Sequence, residues 1–169
     1  MTENLSERTL EVHDITAANF AAFGTLIEPM DDGTPFSELD ATLDFSAGTP
    51  RFYAMKLIGR GTSFTRITRH RRVTQLLASV GGNEWAIAVA PPIDPENPDA
   101  APELDDIVAF RVPGDVAIAL HRATWHAGPL LPKGEHQSFF NLELADTNVV
   151  DHQNFEIGAT HGVTMSLAL

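Results

Sequence analysis

The ten residues LHRATWHAGP, 120 to 129, gather two histidines, an arginine and a tryptophan in a chain that holds seven histidines and two tryptophans. Imidazole takes up and releases protons near neutral pH, so His121 and His126 are candidate acid–base groups. Their odd offset puts them on opposite faces of an uninterrupted strand. They address one site only if Arg122-Ala123-Thr124 forms a turn or bulge that reverses the phase. Trp125, between them, carries enough apolar area to wall such a site.

Three further stretches offer polar side chains of the kinds that do chemistry. In SFTRITRH (63–70), Phe64, Arg66, Thr68 and His70 share one strand face, which sets a guanidinium and an imidazole along the same surface. In SFFNLEL (138–144), Asn141 and Glu143 project together with Phe139, opposite Phe140, Leu142 and Leu144. In DVAIALH (115–121), His121 stands beside only Ala117 and Ala119, leaving room for a ligand. A half-wetted strand more commonly carries lysine and threonine on its polar face. Arg66, Arg122 and, as a lesser candidate, Lys56 could each anchor a carboxylate. The competing reading is that the arginines pair with the surplus of acids. Asp146, Asn148 and Asp151 in DTNVVDH (146–152) suit turn hydrogen bonds, while His152 is a weaker site candidate and His13, His136 and His161 look peripheral.

These groups must be held by short strands. Period-two patterns recur in RFYAMKL (51–57), EWAIAVA (84–90), DIVAFRV (106–112), DVAIALH and SFFNLEL, separated by glycine- or proline-bearing breaks, which predicts a β-barrel or sandwich. VTQLLASVGG (73–82) fits helical spacing as well, although its neighbours favour a strand. One short N-terminal helix is signalled by Ile15, Thr16 and Phe20 at the N′, N-cap and N4 positions, with Gly24 as its stop. Residues 91–105 hold five prolines and five acids and read as a surface excursion. The weakly charged tail beyond about residue 157 is open between a final strand and a contact end.

Length and composition narrow the rest. A chain of 169 residues suits a single domain (1–169, with its core at about 10–157). The absence of cysteine removes disulfides, thiolate metal clusters and cysteine nucleophiles, and fits a cytoplasmic setting. No apolar run approaches a membrane span, and the acidic start does not resemble a secretory leader. A formal charge of −12 disfavours nucleic acid as a partner. A protein of that charge that handles an anion must concentrate its few arginines locally.

The residues resemble a cupin, a small double-stranded β-helix barrel whose two motifs converge metal ligands. On that pattern TRHRRVTQ places Thr68 at the first histidine, His70 at the second and Gln75 at the glutamate. HRATWH places His121 at the proline, Ala123 at the turn glycine and His126 at the last histidine. More specifically, ITRHRRVTQ, LHRATWHAGPL and FFNLELADTNVVDH together are similar to the ureidoglycolate lyase family over roughly residues 10 to 157. Thr68 departs from the acid found at that position in bacterial lyases. The resemblance implies a mainly all-β, cupin-like barrel, a homodimer, and cleavage of ureidoglycolate to glyoxylate and urea in purine-derived nitrogen recovery.

Ureidoglycolate is a carbinolamide bearing a carboxylate, so its cleavage needs a base for the hydroxyl proton, an acid for departing urea and an anchor for the carboxylate. The expected catalytic set is His70, His126, Glu143 and His121, with Arg66, Arg122, Asn141, Lys56 and Trp125 binding substrate. A divalent metal on His70, His126 and Gln75 is a further option implied by the cupin pattern, although glutamine is a weak, uncharged donor. Two rival readings stand beside the lyase. One is an amidohydrolase releasing ammonia and carbon dioxide, and the other is a non-catalytic cupin that binds a small ureido or hydroxy carboxylate.

Overall fold

The computed structural model describes residues 5–169; the first four residues of the acidic start lie outside the described part. Its strands are β1 (Ser6–Asp14), β2 (Gly24–Ile27), β3 (Pro50–Ile58), β4 (Ser63–Phe64), β5 (Arg66–Arg69), β6 (Gln75–Val80) and β7 (Trp85–Ala90). They continue with β8 (Val108–Val112), β9 (Ala117–Leu120), β10 (Trp125–Leu130), β11 (His136–Leu144), β12 (Gln153–Glu156) and β13 (Val163–Ala168). Three short helices, α1 (Ala17–Phe20), α2 (Thr147–Val150) and α3 (Ile157–His161), sit between strands. The strands form an eight-stranded sheet ordered β12-β5-β10-β7-β8-β1-β13-β4 and a five-stranded sheet ordered β2-β9-β6-β11-β3. Curled against each other, they make a half-barrel of cupin-like architecture. Among the described residues, no helix is long and apolar enough to cross a membrane.

Strand β7 shows how one sequence pattern builds two layers. Its large residues Trp85, Ile87 and Val89 enter the core between the sheets, and its small residues Ala86, Ala88 and Ala90 face a second core on the other side of the eight-stranded sheet. The alternation is of size rather than polarity, because both faces are buried. The ambiguous 73–82 segment resolves as strand β6, paired with β9 and β11. The tail resolves as β13, parallel to β1.

At the N-terminus, Thr16 caps α1 in a capping box with Asn19, and Ile15 and Phe20 are buried as a hydrophobic staple requires. Gly24, however, is not the stop of this helix. The helix ends at Phe20, and Gly24 opens β2, where a Cβ would lie 2.3 Å from the Ala119 carbonyl oxygen. The glycine is needed for close backbone approach rather than for a C-terminal cap.

The proline-rich stretch 91–103 runs outside the strands, followed by a short 3-10 turn at Leu104–Asp106. It is tied down by arginines. The wholly buried Arg69 donates to the carbonyls of Ile93 (3.1 Å) and Asn97 (2.6 Å) and to Gln153 (2.9 Å), and lies over the Trp125 ring at 4.6 Å. Arg71 donates to the Pro95 and Glu96 carbonyls. Replacing Arg69 with methionine keeps most of the volume but removes the three hydrogen bonds by which a charged donor ties itself to the excursion and to Gln153. The expected cost is about 3 kcal/mol, read as a fall in chemical-denaturation midpoint with an unchanged m-value.

Candidate active site

The inner surfaces of β3, β6 and β11 face those of β5 and β10 across an open cavity of about 900 Å³. Strand parity decides which side chains reach it. On β5 and just beyond it, Arg66, Thr68 and His70 line the cavity, while Ile67 and Arg69 are buried on the other face. On β11, Asn141 and Glu143 line it, and on β10, His126 does. His126 pairs across the sheet with Thr68.

The turn demanded by the His121–His126 spacing exists. Arg122 and Ala123 form it, Ala123 takes a left-handed φ of +65°, and the Thr124 amide donates to the His121 carbonyl. Ala123 thus adopts the backbone that the cupin pattern assigns to glycine. The turn carries the chain from β9 in one sheet to β10 in the other, and the Ala123 amide donates to the His70 carbonyl at 2.6 Å. This bond joins the two histidine-bearing segments directly.

The two imidazoles stand with ring centroids 5.1 Å apart, and both are buried. The Nδ1–H of His70 donates to the Asp151 carbonyl at 2.6 Å, and that of His126 donates to the Thr124 carbonyl at 3.2 Å. A carbonyl can only accept, so in the neutral rings the proton resides on Nδ1 and Nε2 carries the free lone pair. His152 adds a third ring, 5.5 Å from His70, at the exposed margin of the cavity.

Burial lowers the proton affinity of both histidines, and the groups around the two rings differ. His126 is pulled down to about 3, chiefly by burial, with His70 and His152 adding like-charge opposition. His70 is also lowered by burial, but the Asp151 carbonyl and the charges of Asp151 and Glu143 act in the opposite direction. Because His126 binds its proton less well folded than unfolded, it contributes stability above pH 6.5 that is lost as pH falls toward 3. Replacing His126 with glutamine should remove several kcal/mol of the loss in folding free energy across that window. Denaturation curves for both proteins between pH 7 and pH 4 check this.

Opposite the histidines lies a polar network centred on Glu143, 1% exposed. Its carboxylate accepts from Tyr53 Oη (3.3 Å), Asn148 Nδ2 (3.0 Å) and Gln75 Nε2 (3.2 Å). Gln75 Nε2 also donates to Asn141, and Asn141 Nδ2 donates to Tyr53. Arg51 lies over the Tyr53 ring at 3.8 Å and fixes it from outside.

Of the residues expected from sequence, the structure brings His70, His126, Glu143, Asn141, Gln75, Arg66 and Lys56 to this cavity. It does not bring His121, Arg122 or Trp125. His121 Nε2 turns to the Ala21 carbonyl, and Arg122 is engaged by the Arg71 carbonyl and Glu96. Trp125 has the opposite parity to His126 and is fully buried beneath Arg69 and Phe155. Arg66 reaches the cavity while paired with Glu156.

Tyr53 and Asn148 were not anticipated. Tyr53 is the sole tyrosine of the chain, on a strand whose period-two pattern gave its face, and that rarity was the available signal. Asn148 read as turn chemistry because its reach depends on α2 folding back over the end of β11.

The same geometry tests the metal option. Gln75 Nε2 is held toward Asn141 and Glu143, and its Oε1 is buried without a partner. Among the described residues, no group of three or more histidine, aspartate or glutamate side chains is placed to hold one ion. The donor set is a poor fit for a divalent cation, since the two imidazoles are joined only by the Gln75 amide, a weaker donor than a carboxylate or a third imidazole.

Compared with known families, residues 45–164 match the family model described as Ureidoglycolate lyase. No curated protein sequence matches the chain.

Proposed function

The chain belongs to the ureidoglycolate lyase family, and from that premise we propose that it cleaves the carbon–nitrogen bond of ureidoglycolate, giving glyoxylate and urea. The observation that carries this reading is the pairing of an unprotonated His70 Nε2 with a buried amide and carboxylate network across one cavity. The ureido group lies in that network, where Glu143 accepts from its N–H groups and Asn141 and Asn148 complete its hydrogen bonds. Its carboxylate points outward to Arg66. The Arg66–Glu156 pair is half exposed, and such pairs contribute roughly 0–1 kcal/mol, so a substrate carboxylate can displace Glu156.

His70 is the base. A group with a pKa of about 3, as at His126, takes a proton poorly at neutral pH, whereas the short bond to the Asp151 carbonyl and two neighbouring carboxylates support a proton on His70. His70 Nε2 takes the hydroxyl proton, the carbonyl of glyoxylate forms as the carbon–nitrogen bond breaks, and the same proton passes to the departing urea nitrogen. His126 stays neutral and accepts a hydrogen bond from substrate. Incubation with ureidoglycolate, with urea, glyoxylate and ammonia quantified against the spontaneous rate, tests the assignment. Urea and glyoxylate in equal amounts are expected, while ammonia without urea identifies an amidohydrolase, and saturable binding without turnover identifies a binding protein.

We further propose that the protein works in the cytoplasm as a homodimer. The outer face of β3 and β11 exposes Phe52 (64%) and Phe140 (40%), stacked at 5.4 Å, and Ile58 at the far end of β3 is exposed as well. β3 is also a sheet edge. A nine-residue edge strand with an aromatic face invites a second copy. The double variant Phe52→Asp, Phe140→Asp should halve the mass measured by light scattering while leaving the circular dichroism of the fold intact.

A further inference from the structure

The cavity extends well beyond the polar network. From Tyr53 the inward side chains of β3 continue through Met55 to Leu57, a run of roughly 14 Å at about 3.4 Å per residue. The same cavity is also lined by Phe64, beyond Arg66 from His70, and by Leu130, past the register shift of β10 that follows Ala127. Met55 and Leu57 pack against the core between the sheets, and Phe64 and Leu130 pack against the second core. All four are only partly buried, so they form an apolar compartment where the two cores part. Lys56 and Arg60 line the same end.

Cavities of roughly 300–1,000 Å³ take ligands of drug size, and this one, at about 900 Å³, lies near the upper limit. A small ureido acid held in the Glu143 network leaves the outer compartment unused. The compartment is also poorly suited to water, having apolar walls and cations only at its rim.

We propose that this outer compartment binds the apolar side chain of a 2-oxo carboxylate, so that 2-oxo acids larger than glyoxylate occupy the product position. The inference rests on the orientation given above, with the ureido group inward and the carboxylate outward. A substituent on the carbinol carbon then projects between Met55, Leu57, Phe64 and Leu130, while its carboxylate meets Arg66, Lys56 or Arg60. A substituent on the ureido nitrogen would instead be driven against Glu143 and Asn141, leaving buried polar groups unpaired.

Calorimetric titration of the wild-type protein with glyoxylate, 2-oxobutanoate and 4-methyl-2-oxopentanoate tests this without turnover. Full burial of each added methylene is worth about 0.8 kcal/mol, or about fourfold in affinity, so a rise of about threefold per methylene is expected. Leu57→Gln keeps the volume but introduces an amide, and should abolish the increment while leaving glyoxylate affinity within twofold. A flat or falling series in the wild type overturns the compartment's role, even in a protein that cleaves ureidoglycolate. A rising series in a protein that fails to cleave ureidoglycolate supports the ligand class and confines the failure to the lyase reading.

Discussion

Replacing His70 with glutamine is expected to lower kcat on ureidoglycolate by about 10³-fold, with KM changed by less than about threefold. Removal of a positioned proton-transfer group typically costs 10²–10⁴-fold. Glutamine can keep a hydrogen bond to the Asp151 carbonyl, so the strand and the Ala123–His70 contact should survive. A loss confined to kcat identifies a group that acts in the transition state rather than in ground-state binding. If His126 were the base instead, His126→Gln would give the larger loss. The unequal environments of the two rings argue against that order. A companion expectation concerns pH. Because burial lowers the proton affinity of His70, its neutral form persists below the usual histidine range, and the acid limb of kcat/KM should fall later than for an ordinary histidine base.

Replacing Glu143 with glutamine is the second large effect, expected to lower kcat/KM by about 10²-fold. All three groups that contact this carboxylate are donors: the Tyr53 hydroxyl, the Asn148 amide and the Gln75 amide. Glutamine would set an N–H against at least one of them. The network must then rotate, and an interaction with a charged acceptor, worth about 1.5–3 kcal/mol, is lost. The ureido N–H groups of the substrate lose the same acceptor. Steady-state kinetics of Glu143→Gln beside Asn148→Ala checks the assignment. The asparagine variant removes one donor and keeps the charge, so it should be milder by about tenfold. Equal losses in the two variants would show that the network is structural.

The sequence carried strand parity and turn chemistry well, and this is why Arg66, Thr68 and His70 appeared on one face and why a phase-reversing turn at 122–124 could be required in advance. Parity alone was insufficient where both faces of a sheet are buried. Trp125 shares a short motif with His126, yet it faces the second core, which the local pattern does not distinguish from a cavity wall. Arg122 illustrates a different limit. Its partners Glu96 and Arg71 come from distant segments, and the path of the proline-rich excursion that presents Glu96 follows from tertiary tethering rather than from composition. Gly24 looked like a helix stop because α1 is a single turn, too short for periodicity to fix its end. Asn148 was concealed for a similar reason, since one turn of helix reverses the chain and returns it to Glu143.

The hydrogen bonds that orient His70 and His126 end on the main-chain carbonyls of Asp151 and Thr124. Every amino acid supplies that carbonyl, so the imidazole tautomers are insulated from substitution at the accepting positions as long as the backbone keeps its course. The surrounding amides, cations and apolar walls can therefore drift in evolution, and substrate preference with them, while the two imidazoles retain their alignment. The vulnerable element is backbone path, and at Asp151 that path depends on the side chain, because its carboxylate holds the Arg71 and Arg72 amides at 2.8 Å.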